Sequence, residues 1–207
     1  MPYRSRTPRL LLAAVAALVA VAAIWQVLPV AASTGPSAWE DGSVRYYDAS
    51  GMERTVAIAA ARWNASGAHV RLRRVDSRRD ADIVIDSDDE ELREVCGSDC
   101  LGYTTSIGKP SDEPTLVLLA GELGGETRAL SVWVAAHELG HVLGLRHRDG
   151  RICSLMSEHA FDTRCAPSLA AEQATMEQLA CVPAPADVQD AAAIYGGRPK
   201  RADPRCR

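Results

Sequence analysis

The chain has 207 residues, 47% hydrophobic and 24% charged, which is ordinary for a folded globular protein and enough for one domain rather than two. Setting aside the first 32 residues, which carry three Arg and no acid, leaves 20 basic and 27 acidic residues. That balance excludes nucleic acid as the main partner, since no basic stripe remains to neutralise phosphates.

At the N-terminus, Arg4, Arg6 and Arg9 precede an unbroken apolar run from Leu10 to Trp25, and Val30-Ala31-Ala32 meets the small-residue cleavage pattern. Residues 1–32 are expected to be a signal peptide cut after Ala32. The rival reading is a membrane anchor: the run falls short of the usual spanning length, but residues 27–32 could extend it. The domain leaves the cytoplasm either way, as a secreted extracellular protein or as an anchored one facing outward. Six cysteines fit export with disulfides and allow fifteen pairings; local spacing favours Cys96–Cys100, Cys153–Cys165 and Cys181–Cys206.

Residues 33–40 read as a linker rich in turn formers, 41–197 as the folded domain and 198–207 as a basic tail. "VRYYDAS" (44–50) is a first strand. In "MERTVAIAAARWNAS" (52–66), Val56, Ala59, Ala60 and Trp63 recur at helical spacing before Gly67, which makes Trp63 a core anchor. "HVRLRRV" (69–75) alternates as a half-exposed strand, with His69 at its edge, and "ADIVID" (81–86) reads as a more buried one. The acidic cluster Asp86, Asp88, Asp89, Glu90 and Glu91 reads as a solvated loop; it has donors for Ca2+ but not the spacing of an EF-hand. "LGYTTSI" (101–107) and "PTLVLLAG" (114–121) are two more strands. A long helix starts at Glu126, an irregular stretch holding His159 follows, and "PADVQDAAAIYG" (185–196) is a closing helix. Strands first and helices later predict an α+β fold: a twisted, mostly parallel sheet of four or five strands with an active-site helix, a second backing helix and a C-terminal helix.

The chemistry concentrates in "HELGHVLGLRH" (137–147). His137 and His141, four apart on a helix, lie about 40° apart around its axis and roughly 6 Å along it, so both imidazoles reach one ion. On an unbroken helix His147 would stand roughly 15 Å beyond His137. The chain must therefore break, and Gly144 sits where a positive φ is needed. Five such fixed residues recur by chance about once in 10⁵ chains of this length at ordinary His, Glu and Gly frequencies, so zinc binding by His137, His141 and His147 is expected. Glu138 is placed to act on water rather than on the metal, and Gly140 reads as a close-approach residue.

This H-E-x-x-H-x-x-G-x-x-H motif resembles that of the metzincin zinc endopeptidases, with Met156 in "CSLMS" as the Met-turn. "ICSLMSEHAFDTRC" is similar to the snapalysin arrangement, in which a local disulfide brackets the Met-turn, here Cys153–Cys165. His147 stands where that family typically has Asp and matrixins have His. "ARWN", "ADIVID" and "DVQDAAAIYG" also resemble matrixin catalytic domains. The likeness spans roughly residues 41–197, and only its zinc motif is highly specific. It implies that Met156 forms an apolar floor under the ligands. It also implies that an extended peptide pairs with an edge strand, expected within "TLVLLAG" (115–121), beside a pocket walled by 155–168. Two departures stand out. No zinc-capping cysteine precedes the domain, and Glu158 stands two residues after Met156, where astacins and serralysins carry a tyrosine that assists at the zinc.

The expected function is a secreted, monomeric zinc metalloendopeptidase acting on protein or peptide substrates, with one catalytic Zn2+ and Glu138 as general base. Asp149 or a backbone carbonyl is expected to orient a ligand histidine. The alternatives are a catalytically silent exported zinc-binding module and a membrane-anchored protease for envelope processing.

Overall fold

The computed structural model describes residues 38–111, 113–123, 129–148, 154–158 and 183–200. All of them fall within the unit Pro36–Arg207. The expected signal segment, Asp149, His159, Cys153, Cys165, Cys181 and Cys206 lie outside the described residues.

The elements run β1 (Ser43–Asp48), α1 (Glu53–Ala65), β2 (Arg71–Arg74), β3 (Ile83–Asp86), α2 (Asp89–Cys96), β4 (Gly102–Thr104), β5 (Thr115–Leu119), α3 (Ala129–Val142) and α4 (Pro185–Tyr195). The sheet order is β2-β1-β3-β5-β4. The first four of these strands run parallel, and β4 lies antiparallel against β5. This is the expected α+β architecture with five strands.

Burial follows position in the sheet. Ile83, Val84 and Ile85 of β3 are all buried, as a central strand covered on both faces requires, while β1 alternates and buries Val44, Tyr46 and Asp48. At the β2 edge, only Leu72 of Arg71–Arg74 is buried. Asn64 of α1 turns onto that strand: its Oδ1 accepts from the Leu72 N–H at 2.7 Å and its Nδ2 donates to the Leu72 carbonyl at 2.9 Å. Helices α1 and α3 pack on one another, α1 beside β2 and α3 beside β4 and β5. Trp63 of α1 is fully buried and donates its indole N–H to Ala136 of α3 at 2.9 Å, the anchoring role expected of it.

Several expectations change. The acidic cluster is not a loop: Asp88 caps α2, its Oδ1 accepting from the N–H groups of Glu90 and Glu91 at 3.0 Å each, and the acids behind it complement the helix N-terminus. Asp89 Oδ1 accepts from the Gly121 N–H at 2.6 Å. These carboxylates thus serve backbone donors, and calcium is not supported. Among the described residues, His137, His141 and His147 form the one group of three or more His, Cys, Asp or Glu close enough to share an ion. The folded domain also begins earlier than position 41, because Trp39 is buried and donates its indole N–H to the Val142 carbonyl at 2.6 Å. It continues past 197, where the Arg198 and Lys200 N–H groups donate to Gly67 and Ser66. Of the expected disulfides, Cys96–Cys100 is present and ties the end of α2 to the approach to β4.

Candidate active site

Every residue of α3 except Leu130 is buried. A helix covered all round must find a partner for each polar side chain it carries. Ser131 donates to the Leu123 carbonyl at 2.8 Å; His137, Glu138 and His141 are the remainder.

The helix ends as the motif requires. Gly144 has φ +90°, its N–H donates to the His141 carbonyl at 2.8 Å, and the Leu145 N–H reaches the Gly140 carbonyl at 3.0 Å. This paired Schellman closure turns the chain back on itself and returns His147 to the helix. The three Nε2 atoms stand 3.2 Å (His137–His147), 3.1 Å (His137–His141) and 3.0 Å (His141–His147) apart.

The outer nitrogens fix the tautomers. His137 Nδ1 is 2.6 Å from the Leu155 carbonyl and His141 Nδ1 is 2.8 Å from the Leu145 carbonyl. A carbonyl only accepts, so both Nδ1 atoms carry the proton, and their Nε2 lone pairs face each other. The Glu158 carboxylate stands 3.4 Å from His147 Nδ1 and favours the same tautomer there. Burial, with the neighbouring His141 adding to it, holds His137 down at about 3, and burial also lowers His141. Converging lone pairs that burial keeps unprotonated repel one another unless a cation sits between them. Nitrogens at tetrahedral angles 2.0–2.1 Å from zinc stand about 3.3–3.4 Å apart, close to the spacing seen. The donor set fits Zn2+.

Behind the ligand helix lies the turn that carries Leu155 and Met156. Met156 is 1% exposed, and a Cβ on Gly140 would collide with its sulfur and reach 3.3 Å from Trp63. Gly140 is therefore a close-approach residue, as expected, and the group it admits is Met156. Behind the turn, Asp187 of α4 is fully buried; its carboxylate accepts from Ser154 Oγ, from the Leu155 N–H at 2.9 Å and from the Ala184 N–H at 3.0 Å. The Arg148 N–H donates to the Met156 carbonyl at 3.0 Å, and its guanidinium bonds Asp190 of α4 at 2.6 Å. The Leu155 carbonyl that orients His137 is thus held from α4.

Glu138 faces the other way, toward β4. Its Oε2 accepts from Thr104 Oγ1 at 2.7 Å. A Cβ on Gly102 would stand 2.7 Å from Glu138 Oε1 and 2.9 Å from its Cγ. Burial lifts the Glu138 carboxyl to about 7, against the Thr104 hydrogen bond, which favours the charged form. A divalent cation beside it would favour the carboxylate again. Glu138, the three histidines, Gly102 and Thr104 line one cleft of about 1070 Å³ that also takes in Trp133, Arg146 and Glu158. The Trp133 ring stacks on His137 with centroids 5.2 Å apart.

The structure brings together His137, His141 and His147, lines the same cleft with Glu138 and packs Met156 against Gly140 of the ligand helix. It corrects the strand beside them. β5 is interior, between β3 and β4, so the sheet edge at the cleft is β4, Gly102–Thr104, and not 115–121. Of the two orienting groups expected, backbone carbonyls are seen, those of Leu155 and Leu145 on two of the ligands; Asp149 lies outside the described residues. The structure adds Gly102, Thr104 and Glu158 to the cleft and Asp187 behind it. For Glu158 a signal existed, since it follows the Met-turn closely in sequence; for Gly102 and Thr104 none did.

No family model and no curated sequence matches the chain. Among solved structures, two of myroilysin align over 53% and 55% of this chain and 52% and 48% of their own, at 19% and 20% identity and TM-scores of 0.38 and 0.40. The high choriolytic enzyme 1 of Oryzias latipes (medaka fish), a hatching enzyme zinc-protease, aligns over 58% of this chain and 54% of its own at 19% identity and a TM-score of 0.35. This chain spans about half the length of each. Likeness at that level assigns no activity, and the chemistry rests on the geometry of the site itself.

Proposed function

We propose that this chain is an exported zinc-dependent endopeptidase. One observation carries the reading: three imidazole Nε2 atoms converge at 3.0–3.2 Å from one another, with a buried glutamate next to the first in sequence, in a cleft bordered by the β4 edge of the sheet. Zinc, when bound, supplies Lewis acidity, polarising the scissile carbonyl and making water acidic enough to lose its proton near neutral pH. Glu138 takes that proton and returns it to the leaving amine. A purely structural metal site has no use for such a base.

The substrate is an extended peptide. β4 pairs with β5 on one side, and its other edge borders the cleft without a described strand, which suits strand addition. Backbone bonds along Gly102–Thr104 would hold the peptide across Glu138, and side chains alternating into the cleft would set selectivity. Export rests on the N-terminal segment; among the described residues no helix is long and apolar enough to cross a membrane. We take the enzyme to act as a monomer.

The test is hydrolysis of casein by residues 33–207, with and without a chelator. Chelator-sensitive cleavage, restored by zinc, is expected. A folded, zinc-loaded protein that cleaves no peptide would sink the reading in favour of a silent zinc-binding module.

A further inference from the structure

β4 comes close to both oxygens of the base. In a strand, residues two apart share a face, so Gly102 and Thr104 both look toward α3 while Tyr103 looks away. Gly102 leaves room for Glu138 Oε1, and Thr104 hydrogen-bonds Oε2 at 2.7 Å. Thr104 Oγ1 also lies 3.3 Å from the Glu138 main-chain carbonyl, so one hydroxyl reaches both ends of the same residue.

The strand itself is well fixed. Gly102 pairs with Leu119 and Thr104 with Val117. The Thr105 N–H donates to Leu116 and the Leu116 N–H returns to Thr105 Oγ1, both at 3.0 Å, while the Ala120 N–H reaches the Leu101 carbonyl at 3.0 Å. Cys96–Cys100 ties the approach to the strand back to α2. Thr104 is β-branched, so its χ1 is stiff and the direction of its hydroxyl follows from the backbone.

We propose that Thr104 is a positioning residue for the reaction: it holds the Glu138 carboxylate in one orientation, so that the strand that receives the peptide also aims the base. This rests on the endopeptidase reading above. Strand propensity alone would explain a threonine here equally well with its hydroxyl turned elsewhere; the bond to the carboxylate is what assigns the role.

The experiment compares Thr104→Val, which keeps shape and loses the hydroxyl, with Thr104→Ser, which keeps the hydroxyl, in the full chain. T104V should lower kcat about 10- to 100-fold, the scale of one hydrogen bond to a charged group, with KM within about twofold, zinc content at one per chain and the melting temperature near wild type. T104S should recover to within about threefold of wild type. A crystal structure of the metal-free T104V protein should show Glu138 in more than one rotamer, against a single one in the wild type. Wild-type kcat in T104V, T104S as impaired as T104V, or an unchanged single Glu138 rotamer would each overturn the proposal. If the wild type cleaves nothing, the endopeptidase reading falls, while the Glu138 rotamer in T104V still decides whether Thr104 holds it.

Discussion

The two halves of the site are supported by different parts of the molecule and by different kinds of contact. On the metal half, His137 and His141 lean on main-chain carbonyls, and the Met-turn behind them is held by the buried Asp187 of α4. On the base half, Glu138 leans on a single side-chain hydroxyl from a three-residue edge strand. Main-chain carbonyls survive any side-chain substitution, whereas a hydroxyl is removed by one. Metal affinity and turnover can therefore be damaged separately.

The largest separation should come from a reciprocal pair. Glu138→Ala should keep zinc, measured by chelator competition, and lose at least about 10²-fold in turnover; His147→Ala should lose zinc and turnover together. If E138A stays active, the assigned base is wrong. Next in size, Asp187→Ala strips three donors of a fully buried acceptor and should cost about 2–4 kcal/mol in denaturant unfolding, weakening zinc binding as the Leu155 carbonyl loses its support. A variant as stable as wild type would show that the Met-turn does not depend on α4.

A pH titration of the metal-free protein sharpens the same half. Folded His137 stays neutral down to about 3, whereas in the unfolded chain it takes up a proton near 6.5. At this residue the unfolded state therefore binds more protons between those values, and the His137 contribution to stability should fall as pH drops from 6.5 toward 3. Between about 7 and 4.5 it is opposed by Glu138, whose carboxyl is raised on folding, so the melting temperature should fall most steeply below about 4.5. His137→Gln should flatten part of that slope. The smallest effect is expected from Glu158→Gln. Glu158 is largely exposed and stands 3.4 Å from His147 Nδ1, so zinc affinity should weaken about tenfold at most, with the difference shrinking as salt rises. An unchanged affinity at low salt would remove Glu158 from the site.

The metal half was largely legible in the sequence because its information is local. Two histidines one helical turn apart, a glycine where the helix must stop and a third histidine beyond it leave one geometry that lets all three converge. Asp187 was visible only as an acid near a helix start, since two of its three partners, Ser154 and Leu155, lie more than thirty residues away. The base half was not legible. Residues 101–107 and 114–121 both read as strands, and nothing local says which becomes the edge; that follows from the sheet order, a long-range property. Helix α2 is a different kind of miss. Asp88 followed by Glu91 carries the spacing of a helix start, and Gly97 has the positive φ of a helix stop, but the density of acids suggested a loop.

Asn64's grip on Leu72 has a consequence for how copies of this protein can meet. It occupies the outward main-chain groups at the middle of β2, so among the described residues strand-to-strand growth of the sheet is hindered on that side and open at β4. A sheet extensible from one side cannot propagate. Two copies joining edge to edge would each bury β4, seal both clefts and stop there. Strand pairing would then end at a pair of copies with their β4 edges covered, rather than in a polymer.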